Sequence, residues 1–272
     1  MLRFGTAGIP LAAKGAGTEG GIKKVRELGL DSMELEFVHS VNISEEAAPK
    51  VKAAAEKEDV MLTCHAQYYI NMNAAEKEKL EASKQRLYKA AKITALCGGK
   101  SVAFHPGYYL KSTKEEAYAK VKAAIKEVAE KLKQNGSRIM IAPETTGKHS
   151  QFGTLQEILR ISQELENVKP CIDYAHMRAR EGINDRKGFA AILEQVEKAL
   201  GKEALKDMHI QVAGVKFSEK GELSHLELKD SDMNYKAIAE TWKEFKIGGV
   251  VISESPNIEG DALLMKRTYE NA

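Results

Sequence analysis

Short apolar runs alternate with longer segments of helical periodicity along the whole chain. Each apolar run has a strand's length and is rich in β-branched or other apolar residues, which is typical of buried strands. The eight predicted strands are Leu2–Thr6, Ser32–Phe37, Val60–His65, Ser101–His105, Arg138–Glu144, Val168–Asp173, Asp207–Val212 and Gly249–Glu254. Strands joined by helices run parallel, because the helix returns the chain to the end of the sheet where it started.

The helical segments have recognisable starts and ends. Ser112–Glu115 and Thr154–Glu157 each place a hydroxyl residue three positions before a glutamate, which is the pattern of a capping box. Asn135–Gly136 and Gly248–Gly249 supply residues that tolerate the left-handed conformation at a helix end. Eight alternating units predict the α/β class and a single (β/α)8 TIM barrel, formed as one domain by residues 1–272.

A doubly wound open sheet is the alternative fold. That fold usually carries a glycine-rich phosphate loop after its first strand. The nearest glycine pattern here is Gly5–Gly8, which lacks the spacing of the dinucleotide and P-loop motifs. The barrel is therefore the preferred prediction.

Composition adds limits on environment and partners. The 272 residues are 43% hydrophobic and 29% charged, which excludes a disordered chain. The longest apolar runs, such as Ile247–Ile252, fall far short of the ~18 residues of a membrane span. We expect no membrane partner, a cytoplasmic location and a monomer. The three cysteines are too few for a disulfide framework, and the net charge of +2 neither demands nor excludes nucleic acid.

Histidines and carboxylates recur where the predicted strands end. In this barrel fold all strand ends of one direction meet at the face that carries active sites, so these side chains are predicted to converge. Imidazoles and carboxylates without a thiolate suit Zn²⁺, Mn²⁺, Fe²⁺ or Co²⁺, and a shared carboxylate such as Glu144 predicts a cluster of two or three ions. The predicted ligands are His65, His105, Glu144, Asp173, His176, His209, His225 and Glu254.

Several motifs resemble those of one family, the endonuclease IV enzymes (AP endonuclease family 2) within the xylose-isomerase-like barrels. The likeness covers essentially the whole chain, and the order of the motifs makes it specific. The motifs are Cys64–Asn71, Phe104–Gly107, Pro143–Lys148, Ser150–Gly153, Cys171–His176 and Glu254–Asn257.

The resemblance implies a metal-dependent apurinic/apyrimidinic endonuclease that acts in base excision repair. Its substrate would be double-stranded DNA with abasic sites, cut 5′ to the lesion to leave a 3′-hydroxyl end. The resemblance also implies zinc, a trinuclear centre on the same eight ligands, and Glu144 as a catalytic residue. It places Tyr68 and Tyr69 in the loop whose residues enter the DNA minor groove.

One position departs from the family pattern. Two residues before the ligand equivalent to His225 the family has an aspartate, and this chain has Leu223. Glu222, one residue further back, could serve with a changed loop, so the number of ions is left open at two or three.

Two other classes of function remain as alternatives. A metal-dependent sugar isomerase or epimerase of the same barrel superfamily would use one or two ions with a general base. A non-enzymatic metal-storing or DNA-binding module is the third. The dominance of histidine among the predicted ligands favours the endonuclease.

Overall fold

The computed structural model describes all 272 residues and contains ten strands and nine α-helices. The strands are β1 (Leu2–Ala7), β2 (Ser32–Glu36), β3 (Met61–His65), β4 (Ser101–Phe104), β5 (Met140–Pro143), β6 (Cys171–Asp173), β7 (Met208–Val212), β8 (Gly214–Ser218), β9 (Gly221–Leu226) and β10 (Gly249–Ser253). The helices are α1 (Gly17–Glu27), α2 (Ala48–Glu58), α3 (Lys77–Leu96), α4 (Lys114–Gln134), α5 (Leu155–Glu164), α6 (Tyr174–Glu181), α7 (Arg186–Leu200), α8 (Tyr235–Glu244) and α9 (Glu259–Asn271).

Eight of the strands form a parallel sheet in the order β5-β4-β3-β2-β1-β10-β7-β6. Two parallel bridges, Ile141 to Val168 and Glu144 to Cys171, join the two edges of this sheet. The sheet is thereby closed, and the predicted single (β/α)8 TIM barrel is confirmed. Closure leaves no unpaired sheet edge and brings the carboxyl ends of all eight strands to one face.

The helices pack around the barrel through their apolar faces. Trp242 of α8 and Tyr174 of α6 are completely buried between helices, with ring centroids 5.4 Å apart. The Trp242 Nε1–H donates to the Tyr174 hydroxyl at 2.9 Å, so neither polar group is buried without a partner. No helix in the structure combines the length and the apolar character that crossing a membrane would require.

The predicted capping boxes are present, one of them shifted by a residue. Thr154 caps α5 together with Glu157, as predicted. In α4 the cap is Thr113 with Glu116, one residue after the predicted pair. Ser112 instead makes a weak contact with Asn73 and leaves the helix N-terminus to Thr113.

An antiparallel hairpin, β8–β9, follows β7 and was not predicted. Its two strands pair outside the barrel sheet. The predicted ligand His225 lies in β9 of this hairpin. The apolar run of β7 continues almost without a break into β8, so the pattern of apolar residues contained no sign of the change of direction at Ala213.

Candidate metal centre

The carboxyl ends of four neighbouring strands deliver most of the predicted ligands. His65 is the last residue of β3, and His105 and Glu144 directly follow β4 and β5. Asp173 ends β6 and is also the N-cap of α6, where its side chain accepts a hydrogen bond from the His176 N–H at 2.7 Å. This cap fixes His176 in the first turn of the helix, beside the carboxylate that caps it.

Glu144 lies at the centre of the site and is fully buried. Its Oε2 is 3.1 Å from His65 Nε2, and its Oε1 is 3.0 Å from His105 Nε2. The same Oε1 is 2.9 Å from His176 Nδ1. The atoms of His65, His105 and Glu144 lie close enough to hold one ion, and we call these three residues the first donor group.

Burial and neighbouring charges oppose each other in this group. Burial alone would raise the pKa of Glu144, but the surrounding imidazoles, His105 foremost, hold that pKa well below its ordinary value. Burial alone would lower the pKa of His65 and of His176, but the nearby carboxylates raise both well above the ordinary value. Without a cation, protons on the imidazoles therefore balance the buried negative charge.

A second donor group lies beside the first. Asp173, His176 and His225 also bring one ligand atom each within reach of a common ion. Asp173 Oδ2 and His225 Nε2 are buried and form no hydrogen bond. Two buried lone-pair donors without partners, aimed into one space, are what a bound cation would satisfy.

The orientation of the imidazoles also fits metal ligation. His65 Nδ1 donates to the Ala66 carbonyl at 2.8 Å, and His176 Nδ1 lies 2.9 Å from the Thr145 carbonyl. His225 Nδ1 lies 3.3 Å from the Glu254 carbonyl. A ring that donates its Nδ1–H to a backbone carbonyl keeps the lone pair on Nε2, which is the usual arrangement of a metal-binding histidine.

Glu222 joins the second donor group, and Leu223 does not. Glu222 Oε2 is 3.0 Å from His176 Nε2, and Oε1 is 3.5 Å from His225 Nε2. Burial would raise the pKa of Glu222, but the hydrogen bond with His176 and the charges of the histidines lower that pKa to about 2. An ionised carboxylate, that of Glu222, therefore lies between His176 and His225.

A β-bulge explains how Glu222 reaches this place. Ser224 pairs with Lys216 while Glu222 pairs with Phe217, so Leu223 is an extra residue in β9 without a partner. Residues three apart in a regular strand face opposite sides, and one extra residue brings them to the same side. The bulge thus turns Glu222 toward His225 and leaves Leu223 58% exposed.

Two glycines let the hairpin approach the loop that follows β5. A Cβ on Gly147 would lie 2.7 Å from Glu222 Cβ and 2.7 Å from His176 Cδ2. Gly221 has a φ of +102°, and a Cβ there would lie 2.2 Å from the Gly147 carbonyl oxygen. Side chains at these two positions would push Glu222 away from His176.

The structure does not bring His209 to either donor group. His209 was predicted at a strand end, but it is the second residue of β7 and lies in the barrel interior. Its Nε2 is 2.8 Å from Glu34 Oε2, and its Nδ1 is 3.0 Å from Ser101 Oγ. Both ring nitrogens are thereby engaged one layer below the two donor groups, and ligation of an ion by His209 stays a prediction.

Glu254 directly follows β10, as predicted, and borders the second donor group. Its Oε2 is 3.8 Å from His225 Nδ1, and its Oε1 accepts a hydrogen bond from Gln211 Nε2 at 2.9 Å. Burial and the nearby carboxylates Glu144 and Asp173 raise the pKa of Glu254 well above its ordinary value. Sequence reasoning missed Gln211, because a glutamine gives no signal of metal chemistry.

Glu36 is a further carboxylate beside the first donor group. It ends β2 next to His65, and its buried Oε1 has no hydrogen-bond partner. Burial and the charge of Glu34 raise the pKa of Glu36 to about 8. Glu36 is therefore a further oxygen donor at the edge of the first donor group.

Tyr68 and Tyr69 project from the loop after β3. They are 57% and 62% exposed, so neither is packed into the barrel rim. The Tyr68 ring lies 5.7 Å from the His65 ring, between the donor groups and solvent. Tyr68 therefore stands at the entrance to the site, and Tyr69 is the next residue of the same loop.

Comparisons with known proteins identify the family to which the chain belongs. The family model described as a xylose isomerase-like TIM barrel matches residues 22–269. An uncharacterized protein of Methanocaldococcus jannaschii is 45% identical over 271 residues, covering 99% of this chain and 97% of that protein. A "probable endonuclease 4" of Oceanobacillus iheyensis is 28% identical over 155 residues, covering 55% of this chain and 50% of that relative, so the chain matches only half of its length.

Two solved structures share the fold. Endonuclease IV from Thermus thermophilus aligns with a TM-score of 0.74 at 20% identity, covering 98% of this chain and all of that one. A D-tagatose 3-epimerase-like protein aligns with a TM-score of 0.72 at 18% identity, covering 93% and 91%. At these identities the likeness concerns the fold alone. The resemblance to endonuclease IV relatives is confirmed at the level of sequence, and the chain belongs to the xylose isomerase-like TIM barrel family.

Proposed function

We propose that this protein is a metal-dependent endonuclease that hydrolyses DNA 5′ to abasic sites and leaves a 3′-hydroxyl end. One observation carries the proposal: the buried carboxylate of Glu144 contacts His65 and His105 of its own donor group and His176 of the other. This arrangement suits two neighbouring ions that share a carboxylate. Sequence similarity to proteins named endonuclease 4 supports the same activity.

The donor set favours Zn²⁺, with Mn²⁺ as the next choice. Imidazole nitrogens and carboxylate oxygens suit these ions, whereas Mg²⁺ prefers oxygen ligands alone. Bound ions of this kind lower the pKa of water to about 7 and stabilise the attacking and leaving oxygens of a phosphodiester. The residues that would hold them are His65, His105, Glu144, Asp173, His176, Glu222, His225 and Glu254.

The protein's own contribution is to fix these donors before the substrate arrives. Each oxygen of Glu144 is already committed to an imidazole, so its position costs no reorganisation during reaction. The backbone carbonyls that accept from His65 and His176 lock those rings in one tautomer.

The exposed tyrosines suit a DNA substrate with a missing base. Tyr68 lies beside His65 at the entrance of the site, and Tyr69 is exposed next to it in the chain, so that an aromatic ring could enter the gap left in the base stack. An abasic nucleotide is cheap to turn out of the duplex because no base pair is broken. This supports selection of the lesion without reading of sequence.

Basic residues beside the hairpin suit the phosphate backbone. Lys148 forms a β-bridge with Gly221 beside the turn of the hairpin, and Lys216 is exposed on β8. Neither lysine forms an ion pair with a carboxylate of this chain, unlike Arg178, which pairs with Asp232. Contacts of this kind position DNA and carry no sequence information.

The test is cleavage of a duplex with one abasic site by the zinc-loaded protein. We expect one cut 5′ to the site and a 3′ end that a DNA polymerase extends. Glu144→Gln should reduce turnover by at least about 100-fold, because one oxygen of the shared carboxylate becomes an uncharged NH2 group. Glu219→Gln, an exposed change in the turn of the hairpin, is the matched control. Full turnover by Glu144→Gln, or a product end formed by β-elimination, would refute the proposal.

The epimerase alternative has support only from the shared fold. Proteins that share this barrel fold catalyse several different reactions, because the residues of the active site, and not the fold, determine the reaction. Four of the donors grouped here are imidazoles, whereas proton transfer next to a sugar carbonyl needs chiefly a positioned acid and base. Incubation with ketohexoses decides: interconversion at C3 without any cutting of abasic DNA would replace the nuclease proposal.

A further inference from the structure

Gln211, not His209, occupies the upper position on β7. In the pairing of β6 with β7, Asp173 lies opposite Gln211, and Cys171 lies opposite His209. Residues two apart on a strand face the same side and are about 6.6–6.8 Å apart along it. Gln211 is therefore level with the ligand candidate Asp173, and His209 is one layer deeper in the barrel.

The carboxamide of Gln211 joins two buried carboxylates. Its Nε2 donates to Glu34 Oε1 at 2.9 Å and to Glu254 Oε1 at 2.9 Å. Its Oε1 accepts from Cys171 Sγ at 3.2 Å. The opposite orientation of the amide would place its carbonyl oxygen against both carboxylates, so the hydrogen-bond network defines which end faces Glu254.

Glu34 anchors this arrangement from below. It is completely buried and accepts from Thr63 Oγ1 at 2.9 Å, in addition to its contact with His209. These contacts and the hydrogen bond from Gln211 fix both oxygens of the Glu34 carboxylate. A fixed carboxylate of this kind holds the Gln211 side chain in one rotamer.

The consequence concerns Glu254. Gln211 occupies one of its oxygens and leaves Oε2 facing His225 Nδ1 at 3.8 Å. At the level of Asp173, β7 thus presents an NH2 group to Glu254 and offers no lone pair to an ion there. We propose that Gln211 is a positioning residue that aims Glu254 at the second donor group, and that the chain consequently holds two metal ions rather than three.

This inference rests on the proposed metal centre but not on DNA cleavage, so its test uses zinc alone. The full-length protein, freed of metal, is titrated with zinc chloride against a chromophoric chelator, and the zinc content after dialysis is measured by elemental analysis. We expect two zinc ions per chain. Gln211→Met keeps the length of the side chain but removes the NH2 group, and should weaken the second zinc about 10- to 100-fold while leaving the first unchanged.

Two further variants separate positioning from ligation. Gln211→His places a lone pair level with Asp173 and should add a third zinc. His209→Gln retains a donor for Glu34 and should keep two, because His209 is not a ligand. Circular dichroism monitors the folding of each variant. If Gln211→Met does not fold, the zinc counts of Gln211→His and His209→Gln test the inference.

Several results would overturn the inference. These are three zinc ions in the unchanged protein, loss of a zinc in folded His209→Gln, two zinc ions in Gln211→His, or wild-type zinc affinity in Gln211→Met. If the zinc counts are as expected but the protein does not cut abasic DNA, the nuclease proposal is refuted and the inference about Gln211 still holds.

Discussion

Replacing Glu222 with glutamine tests the most specific feature of the second donor group, a carboxylate supplied by a bulged strand. The Glu222 side chain is only 17% exposed, and its two oxygens face His176 and His225. Its lowered pKa, about 2, means that the carboxylate is ionised throughout the neutral range. Glutamine has the same shape but no charge, so the variant removes the anionic ligand and little else.

The size of the effect follows from the role of the carboxylate. Loss of a residue that merely supports a ligand costs about 10- to 100-fold in metal affinity, and a direct ligand should cost at least as much. This corresponds to a loss of about 1.4–2.8 kcal/mol in binding free energy. The loss should fall on one ion only, because Glu222 contacts His176 and His225 of the second donor group. Its link to the first donor group is indirect and runs through the contact of His176 with Glu144.

Competition with a chelator measures the two ions separately and allows matched controls. We expect Glu222→Gln to release one ion early and the other at the wild-type chelator concentration. Glu219→Gln should behave as wild type. Leu223→Asp should not tighten metal binding, because the bulge turns this position toward solvent. Unchanged release in Glu222→Gln, or tighter binding in Leu223→Asp, would show that the bulge does not orient β9 as described.

Three further measurements examine other parts of the molecule. Zinc binding at pH 7 should release at least about two protons per chain, because the raised pKa values of His65 and His176 keep both rings protonated until a cation displaces the protons, and the raised pKa of Glu254 favours a further release. Titration calorimetry in buffers of different ionisation enthalpy measures the number of protons, and no release would contradict the assigned charges. Joint replacement of Tyr68 and Tyr69 by alanine should change the free energy of unfolding by less than about 0.5 kcal/mol. The same variant should bind abasic duplex more weakly by about 1–3 kcal/mol per ring, and an equal loss of affinity for intact duplex would show that the two tyrosines do not sense the lesion. Thr154→Ala removes a capping box and should cost about 1 kcal/mol, seen as a melting temperature lower by about 2–4 °C, whereas an unchanged melting temperature would mean that the cap contributes nothing.

The barrel could be predicted because its signal repeats. Each of the eight units alternates a buried strand with an amphipathic helix, and a parallel sheet built this way has few topologies open to it. The same regularity located His65, His105, Glu144 and Asp173, since each lies at or one residue beyond the end of its strand. For these positions the end of the apolar run and the end of the strand coincide.

His209 shows where this reasoning fails. The run from Asp207 to Val212 predicts a strand but not its register, and both His209 and Gln211 face the barrel interior. Only the pairing with β6 shows that Gln211 is level with Asp173. Histidine is a common metal ligand, so the residue type suggested ligation by His209. In the structure the His209 ring contacts Glu34 and Ser101, and the register between strands determines this placement.

The β8–β9 hairpin shows a second limit of prediction from residue spacing. A regular strand places ligands two residues apart on one face, whereas the bulge at Leu223 brings Glu222 and His225, three apart, to the same face. Spacing along the sequence is therefore a reliable guide to shared ligation only where the strand is regular. Because β8 and β9 lie outside the barrel sheet, this segment can gain or lose a residue without disturbing the eight strands that position Glu144 and Asp173. Glu222 and His225, which lie on the hairpin, are therefore the donors that can vary while the donors on the barrel strands are retained.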